Sequence, residues 1–288
     1  MGFIANLFGY LLNALYTVFN NYGIAIIIFS IILRIILIPI TIKQQKSMKK
    51  SAELQQEMKE ISKKYKNNPE KLNQETIDLY KREKMSPFSG CLSSILQLVI
   101  ILSVFWLVSQ PLTYMKKVQE PYSDENPDIS VIDHYKEEIQ KENNGQRTSY
   151  VEIEIINRYG AMDDRVNINM NFLGLDLSKV PGNNLEDWTV YIIPVLYVIS
   201  SIASIKITTK MSEGHSEAQV STEGTDELEA MQAMNKNMTY MMPIMAIFIA
   251  FIAPLGLALY WFISNILMIM ERLIIDQIMK HKEEQENA

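Results

Sequence analysis

The sequence has one cysteine in 288 residues, Cys91, which excludes a disulfide-stapled scaffold and a four-cysteine zinc site. Histidine is nearly as scarce. His134, His215 and His281 stand far apart in polar segments, so no metal site is expected. Basic residues do not predominate: 27 Lys plus Arg face 33 Asp plus Glu, a formal net charge of −6, which argues against a DNA-binding protein. Residues 1–21 carry no charged side chain, and they show neither the basic n-region nor the small-residue cleavage site of a secretory leader. No internal repeat is evident. What is abundant is apolar sequence, and it comes in blocks. A mean hydropathy of +0.01 conceals strong segregation, with apolar stretches at 22–42, 88–113, 189–207, 238–252 and 255–270 and most of the charge between them. The class this implies is an all-α polytopic membrane protein with five transmembrane helices.

The chain divides accordingly. Residues 1–21 repeat Phe3, Leu7, Tyr10, Leu11, Ala14, Leu15 and Val18 at helical spacing but are interrupted by Asn6, Asn13, Thr17, Asn20 and Asn21, so they read as an interfacial helix. The first span is 22–42, 21 residues, enough for a hydrocarbon core of about 30 Å. Residues 43–86 follow, and 43–84 hold 12 Lys/Arg against 7 Asp/Glu. Leu54, Met58, Ile61 and Tyr65 form one stripe; Leu72, Thr76, Leu79 and Tyr80 form another; Asn67-Asn68-Pro69 lies between them. Two amphipathic helices with a tight break predict a helical hairpin outside the membrane.

The second span is 87–113. Residues 114–187 form a polar insert with 8 basic and 15 acidic residues. Within it Val151, Ile153 and Ile155 alternate with polar residues, as do Val166, Ile168, Met170 and Phe172, and Asn157-Arg158-Tyr159-Gly160 can turn; the pattern predicts a small β-hairpin. The third span is 188–208, a Gly/Ser/Glu-rich loop occupies 209–237, the fourth and fifth spans are 238–253 and 254–275, and 276–288 is a short tail. Ala253-Pro254-Leu255-Gly256 is so short a connection that the last two spans must be antiparallel neighbours. The basic 43–84 segment belongs on the cytoplasmic side, which puts the N-terminus and the insert outside and the C-terminus inside.

Arg34 carries the functional argument. It stands nine residues before Lys43, about 14 Å of helix from the cytoplasmic end. A central arginine costs roughly 2.5–3.5 kcal/mol on insertion scales, and no span offers an interior Asp or Glu to offset it. A polar, water-filled groove open to the cytoplasm is the expectation; a structural arginine held by backbone carbonyls or a buried carboxylate is the plainer reading. Ser30 and Thr41 share its helical face, Ser93, Gln97 and Ser103 come from the second span, and Tyr260, Trp261, Ser264 and Asn265 from the fifth. Singly, such residues read as interhelical hydrogen bonds; around one arginine they read as a groove. Six methionines between Met231 and Met245 read first as core filler and second as an adaptable contact surface.

These residues fall into a family pattern. Asn21-Tyr22-Gly23-Ile24-Ala25-Ile26-Ile27, Arg34, Pro39, Lys43-Gln44 and Ser47-Met48, then Leu79-Tyr80-Lys81, Pro87, Gly90-Cys91-Leu92 and Gln97, then Phe172-Leu173-Gly174-Leu175-Asp176-Leu177, then Met242-Pro243, Pro254, Gly256-Leu257, Leu259-Tyr260-Trp261 and Ser264-Asn265, in this order, resemble the YidC/Oxa-type membrane protein insertases of the bacterial plasma membrane. The resemblance implies five core helices around a hydrophilic groove, open to the cytoplasm and lipid and closed outside. In it Arg34 matches the groove arginine, Ser30 the hydroxyl residue one turn earlier and Trp261 the aromatic of the last span; Gln97, Tyr260 and Asn265 complete the candidate substrate groove. It implies no enzyme activity, catalytic residue or cofactor. The implied partners are nascent membrane proteins and the lipid bilayer, with the ribosome and a Sec-type translocon beyond them. The sequence differs from the family pattern at Ser93, where a proline is usual, in the length of its insert, and in a short tail that is not net basic. Residues 120–165 lie outside the matched motifs, so a short linker in their place is expected to preserve activity. A small-solute transporter using the same arginine is the alternative, although proton coupling would want an intramembrane carboxylate or histidine and inverted repeats would be expected.

Overall fold

The computed structural model describes residues 2–66, 68–83, 89–123, 126–144, 149–213 and 248–286. The protein is predominantly helical, with two minimal β-hairpins among the described residues, an all-α polytopic membrane fold. Helix α1 runs Gly2–Phe19, α2 Tyr22–Lys64, α3 Pro69–Arg82 and α4 Ser89–Ser109. A π-helical turn, Leu112–Lys116, closes α4, and the insert then builds β1 (Pro121–Ser123), β2 (Asn126–Ser130), α5 (Val131–Glu142), α6 (Val151–Tyr159), β3 (Asn171–Phe172) and β4 (Leu175–Asp176). A turn at Trp188–Tyr191 leads into α7, Ile192–Glu213, and α8 runs Leu255–Glu286.

Among the described residues four helical stretches are long and apolar enough to cross a bilayer: Gly2–Phe19, Tyr22–Lys46, Trp188–Ile207 and Leu255–Ile278; Leu98–Ser109 is a shorter apolar helix. Residues 1–21, read above as interfacial, thus include a stretch that meets the length and composition of a span. Of the expected span 238–253, only 248–253 lie within the described residues, with 248–252 helical; the methionine cluster, the loop 214–237 and the side chain of Gln97 lie outside them. The change from apolar to polar sequence at residue 43 is not a structural break. Helix α2 continues for 43 residues through Pro39, because Lys, Gln and Glu propagate a helix in water as readily as Ile and Leu do in lipid.

By contacts the chain forms two compact units: Met1–Ile35 with Leu98–Ser200 and Ile247–Leu267, and Ile36–Gln97 with Ser201–Ala246 and Met268–Ala288. In the second unit the polar half of α2 pairs antiparallel with α3. The break works as a cap: the Asn68 side chain accepts the Lys71 N–H at 3.1 Å, with Pro69 in the first turn, where its missing N–H costs nothing. Leu54 and Leu79 are buried, the Tyr80 hydroxyl donates to Met58 Sδ, and Arg82 pairs with Glu57.

In the first unit, α1 lies on the π-helical turn after α4. Ala5, Gly9 and Leu12 are its buried face, and a Cβ on Gly9 would stand 1.9 Å from the Tyr114 carbonyl oxygen, so only glycine allows this approach. The insert corrects the sequence reading. Residues 151–159 are helix rather than strand: Glu152, Ile153, Ile155 and Ile156 are the buried face, a period of 3.6 that also passes through every second residue over a short run. Val166, Ile168 and Met170 do alternate, buried between more exposed neighbours, but among the described residues they belong to no strand; the hairpin forms one step later, Asn171 opposite Asp176 and Phe172 opposite Leu175, with the Met170 carbonyl accepting from Leu177 N–H at 2.9 Å beside it. A second hairpin, β1–β2, joins Pro121 to Ser130.

The stretch 120–165 is also more than a loop. Glu152 reaches the end of α4 and accepts from Leu112 N–H at 2.8 Å, Thr113 N–H at 3.0 Å and the Thr113 hydroxyl at 2.5 Å. It thereby caps the π-helical turn with a buried carboxylate. Lys116, in the same turn, donates to the carbonyls of Asp164 and Asn167. Arg165 forks onto Asp163, which also accepts from the Tyr135 hydroxyl, and donates to the carbonyls of Pro121 and Tyr122.

Candidate functional site

Arg34 sits more than three turns into α2. Its Nη2 donates to the backbone carbonyl of Ser264, on α8, at 3.2 Å. A helical carbonyl keeps a second lone pair after its own i+4 bond, so it can accept this bond without breaking the helix. Helices α2 and α8 are thus in contact at the arginine, through a bond to a backbone oxygen. Tyr260, one turn before Ser264, is buried and lies in the field of both the Ser264 hydroxyl and the Arg34 guanidinium.

The other expected groove residues divide between two neighbourhoods. Asn265 is buried and turns toward α7, where its Nδ2 donates to the Ser200 hydroxyl at 3.2 Å; Ser200 in turn donates to the Tyr197 carbonyl at 2.9 Å. Trp261 lies beside Tyr197, ring centroids 6.0 Å apart and planes inclined by 36°. Tyr197 and Ser200 were not singled out in the sequence; their signal would have been polar residues one turn apart on an otherwise apolar span. Ser30 is buried, and its hydroxyl donates to the Ile26 carbonyl at 2.7 Å, back onto its own helix. Ser103 does the same to Val99, at 2.7 Å, and Thr41 to Leu37, at 3.3 Å. Such back-bonding satisfies a hydroxyl within its own helix at little cost.

Residues 169–179, which contain the β3–β4 hairpin, join the starts of α2 and α8. The Tyr22 N–H donates to the Asn169 carbonyl at 3.0 Å, and the Asn21 side chain to the Asn171 carbonyl at 2.7 Å. Farther along, Gly256 N–H reaches the Leu177 carbonyl at 2.8 Å and Leu255 N–H the Lys179 carbonyl at 2.9 Å. First-turn N–H groups have no partner within their own helix; here residues 169–179 supply partners and hold the two helix starts in fixed register.

A model of the 60Kd inner membrane protein family matches residues 14–283, nearly the whole chain. The chain belongs to that family. It is similar to the membrane protein insertase YidC of Treponema denticola, 29% identical over 282 residues, covering 97% of this chain and 39% of that protein. It is also similar to the proteins of the same name from Caldanaerobacter subterraneus subsp. tengcongensis, 43% identical over 108 residues (38% of this chain, 52% of that protein), and from Fusobacterium nucleatum, 28% identical over 279 residues (96% and 98%). The chain thus spans less than two thirds of the first two relatives and almost all of the third. Membership together with the apolar helices makes this a membrane-embedded protein. Two of its polar contacts, Arg34 with Ser264 and Asn265 with Ser200, each join helices far apart in sequence.

Proposed function

We propose that this protein is a membrane protein insertase that receives newly made membrane proteins and helps them into, and fold within, the bacterial plasma membrane. The observation that carries the reading is the family match over residues 14–283 of a chain that places an arginine deep in an apolar helix. The spans are those read above, with 43–86 and the C-terminus in the cytoplasm and the 114–187 insert outside. Arg34, Ser30, Tyr260, Trp261 and Asn265 belong to a polar groove that opens to the cytoplasm, and the 169–179 segment closes it on the outer side. A translocated segment, often short and acidic, meets its largest desolvation cost in the hydrocarbon centre. A wet groove carrying a fixed positive charge halfway across lowers that cost, while the substrate's own apolar helix partitions into lipid and drives the step. No bond is made or broken, and no cofactor is called for. Nascent chains and lipid are the direct partners; the ribosome and a Sec-type translocon act upstream. Depletion in cells tests the reading. An insertase loses newly made membrane proteins from the membrane before any solute flux changes; early loss of one solute's flux with normal membrane-protein biogenesis would favour a transporter.

A further inference from the structure

The β3–β4 turn presents a residue that its own fold does not use. Leu173 is 87% exposed, and it holds the left-handed backbone, φ 51°, with Gly174 after it at φ 82°. Two consecutive positive φ values define the tight hairpin turn in which asparagine is favoured at the first position. A leucine there is strained, and its side chain is left almost wholly exposed. Leu185 and Trp188, on the segment that leads into α7, are likewise 71% and 73% exposed.

Their level in the molecule is fixed by contacts. The Phe172 ring lies so close to Gly23 that a Cβ there would fall 2.4 Å from it, and Gly23 is the second residue of the apolar stretch Tyr22–Lys46. Strand β4 packs against the Trp188–Tyr191 turn, which opens the apolar stretch Trp188–Ile207. The β3–β4 hairpin therefore lies at the ends of two apolar stretches, on which Ile24, Val195 and Leu196 are also exposed. Full immersion in hydrocarbon would strand the turn's peptide groups and the neighbouring Lys179–Asp187 ion pair without water. Full exposure to water would leave three large apolar side chains wet. The boundary between headgroups and acyl chains suits both, and it is where tryptophan concentrates.

We infer that the Leu173–Gly174 turn, with Leu185 and Trp188, is seated in the lipid interface at the starts of α2 and α7 and anchors the depth of those helix ends. The occupant is phospholipid, not a protein partner, and the inference does not depend on insertase activity.

Spin labels test it in full-length protein reconstituted in phosphatidylcholine/phosphatidylglycerol vesicles, with Cys91→Ser as background and one label at Leu173→Cys, Leu185→Cys or Glu137→Cys. Glu137, exposed on the polar helix α5, is the aqueous reference. Labels at 173 and 185 should collide several-fold more with oxygen, relative to a water-soluble nickel complex, than the label at 137. Leu173→Asn separates anchoring from turn geometry, since asparagine suits the left-handed backbone and removes only the apolar side chain. With Leu173→Asn, the label at 185 should shift toward the aqueous reading. Labels at 173 and 185 that match 137, spin–spin broadening from a second copy, or a 185 reading untouched by Leu173→Asn would each overturn the inference.

Discussion

Replacing Glu152 by alanine removes the acceptor for three donors at the end of α4: the Leu112 and Thr113 N–H groups and the Thr113 hydroxyl. Each buried N–H left without a partner costs about 1–3 kcal/mol, and relief from burying a carboxylate offsets part of the sum, so a net loss of about 2–4 kcal/mol is expected. Glutamine keeps an acceptor for both N–H groups and carries no charge; its cost should stay below about 1 kcal/mol. The pH dependence provides an independent sign. Burial pushes the Glu152 carboxyl above its ordinary 4.5, against the smaller opposing pull of its hydrogen bonds. The folded protein therefore holds this proton to higher pH than the unfolded chain does. The stabilisation associated with that proton is complete below pH 4.5 and is lost as pH rises through the elevated folded value. Wild type should lose stability over that window, and Glu152→Gln should show a flatter profile there. Unfolding in mixed micelles, with amide exchange at Leu112 and Thr113, measures both effects. A linker in place of 120–165 removes Glu152 and the Asp164 carbonyl to which Lys116 donates, while the Asn167 carbonyl stays, so it should destabilise the end of α4 even where most insertion activity is preserved. An alanine variant as stable as wild type, with unchanged exchange at both amides, would refute the capping argument.

Three further outcomes follow from the packing. Gly9→Ala drives a methyl into the Tyr114 carbonyl and should displace α1 at a cost of about 1–3 kcal/mol, seen as faster amide exchange in residues 5–12. Leu79→Ala leaves a gap beside the α2–α3 pairing and should cost about 2–4 kcal/mol there, seen as local exchange in α3 while the first unit keeps its protection. The Lys179 ammonium, followed by the Thr189 hydroxyl and N–H, holds the Asp187 carboxyl down to about 2. This pair's stabilisation is full above the ordinary 3.8 and is lost as pH falls toward 2, so acid titration followed by Trp188 emission should show a transition that Asp187→Asn abolishes.

The fold class was legible because a bilayer demands long apolar runs and this chain supplies them with little charge in their interiors. The helix break at Asn68-Pro69 was legible because a side-chain cap and a first-turn proline are local chemistry. The insert was not. Val151-Glu152-Ile153-Glu154-Ile155-Ile156 satisfies both a period of 2 and a period of 3.6, and the choice is made by Glu152, whose inward position makes sense only once the α4 end provides donors. Likewise Gly9 reads as an ordinary helix glycine until the Tyr114 carbonyl lies against it. Within the site, the sequence marked Arg34, Tyr260 and Asn265 as polar groups in apolar helices, but periodicity does not say which helix each one faces. Tyr197 and Ser200, the α7 partners of Trp261 and Asn265, were missed for that reason.

The central claim is tested most directly by insertion into vesicles containing only the purified protein and lipid. Small single-span substrates are translated in their presence, one set with acidic translocated segments and one with neutral segments, using wild type, Arg34→Lys and Arg34→Ala. The account predicts that wild type inserts both sets and Arg34→Lys keeps partial activity. Arg34→Ala should fail most on the acidic set while remaining folded, because the lost contribution is chiefly electrostatic. Protein-free vesicles that insert both sets equally well, or an Arg34→Ala protein that is folded and as active as wild type on acidic substrates, would contradict it.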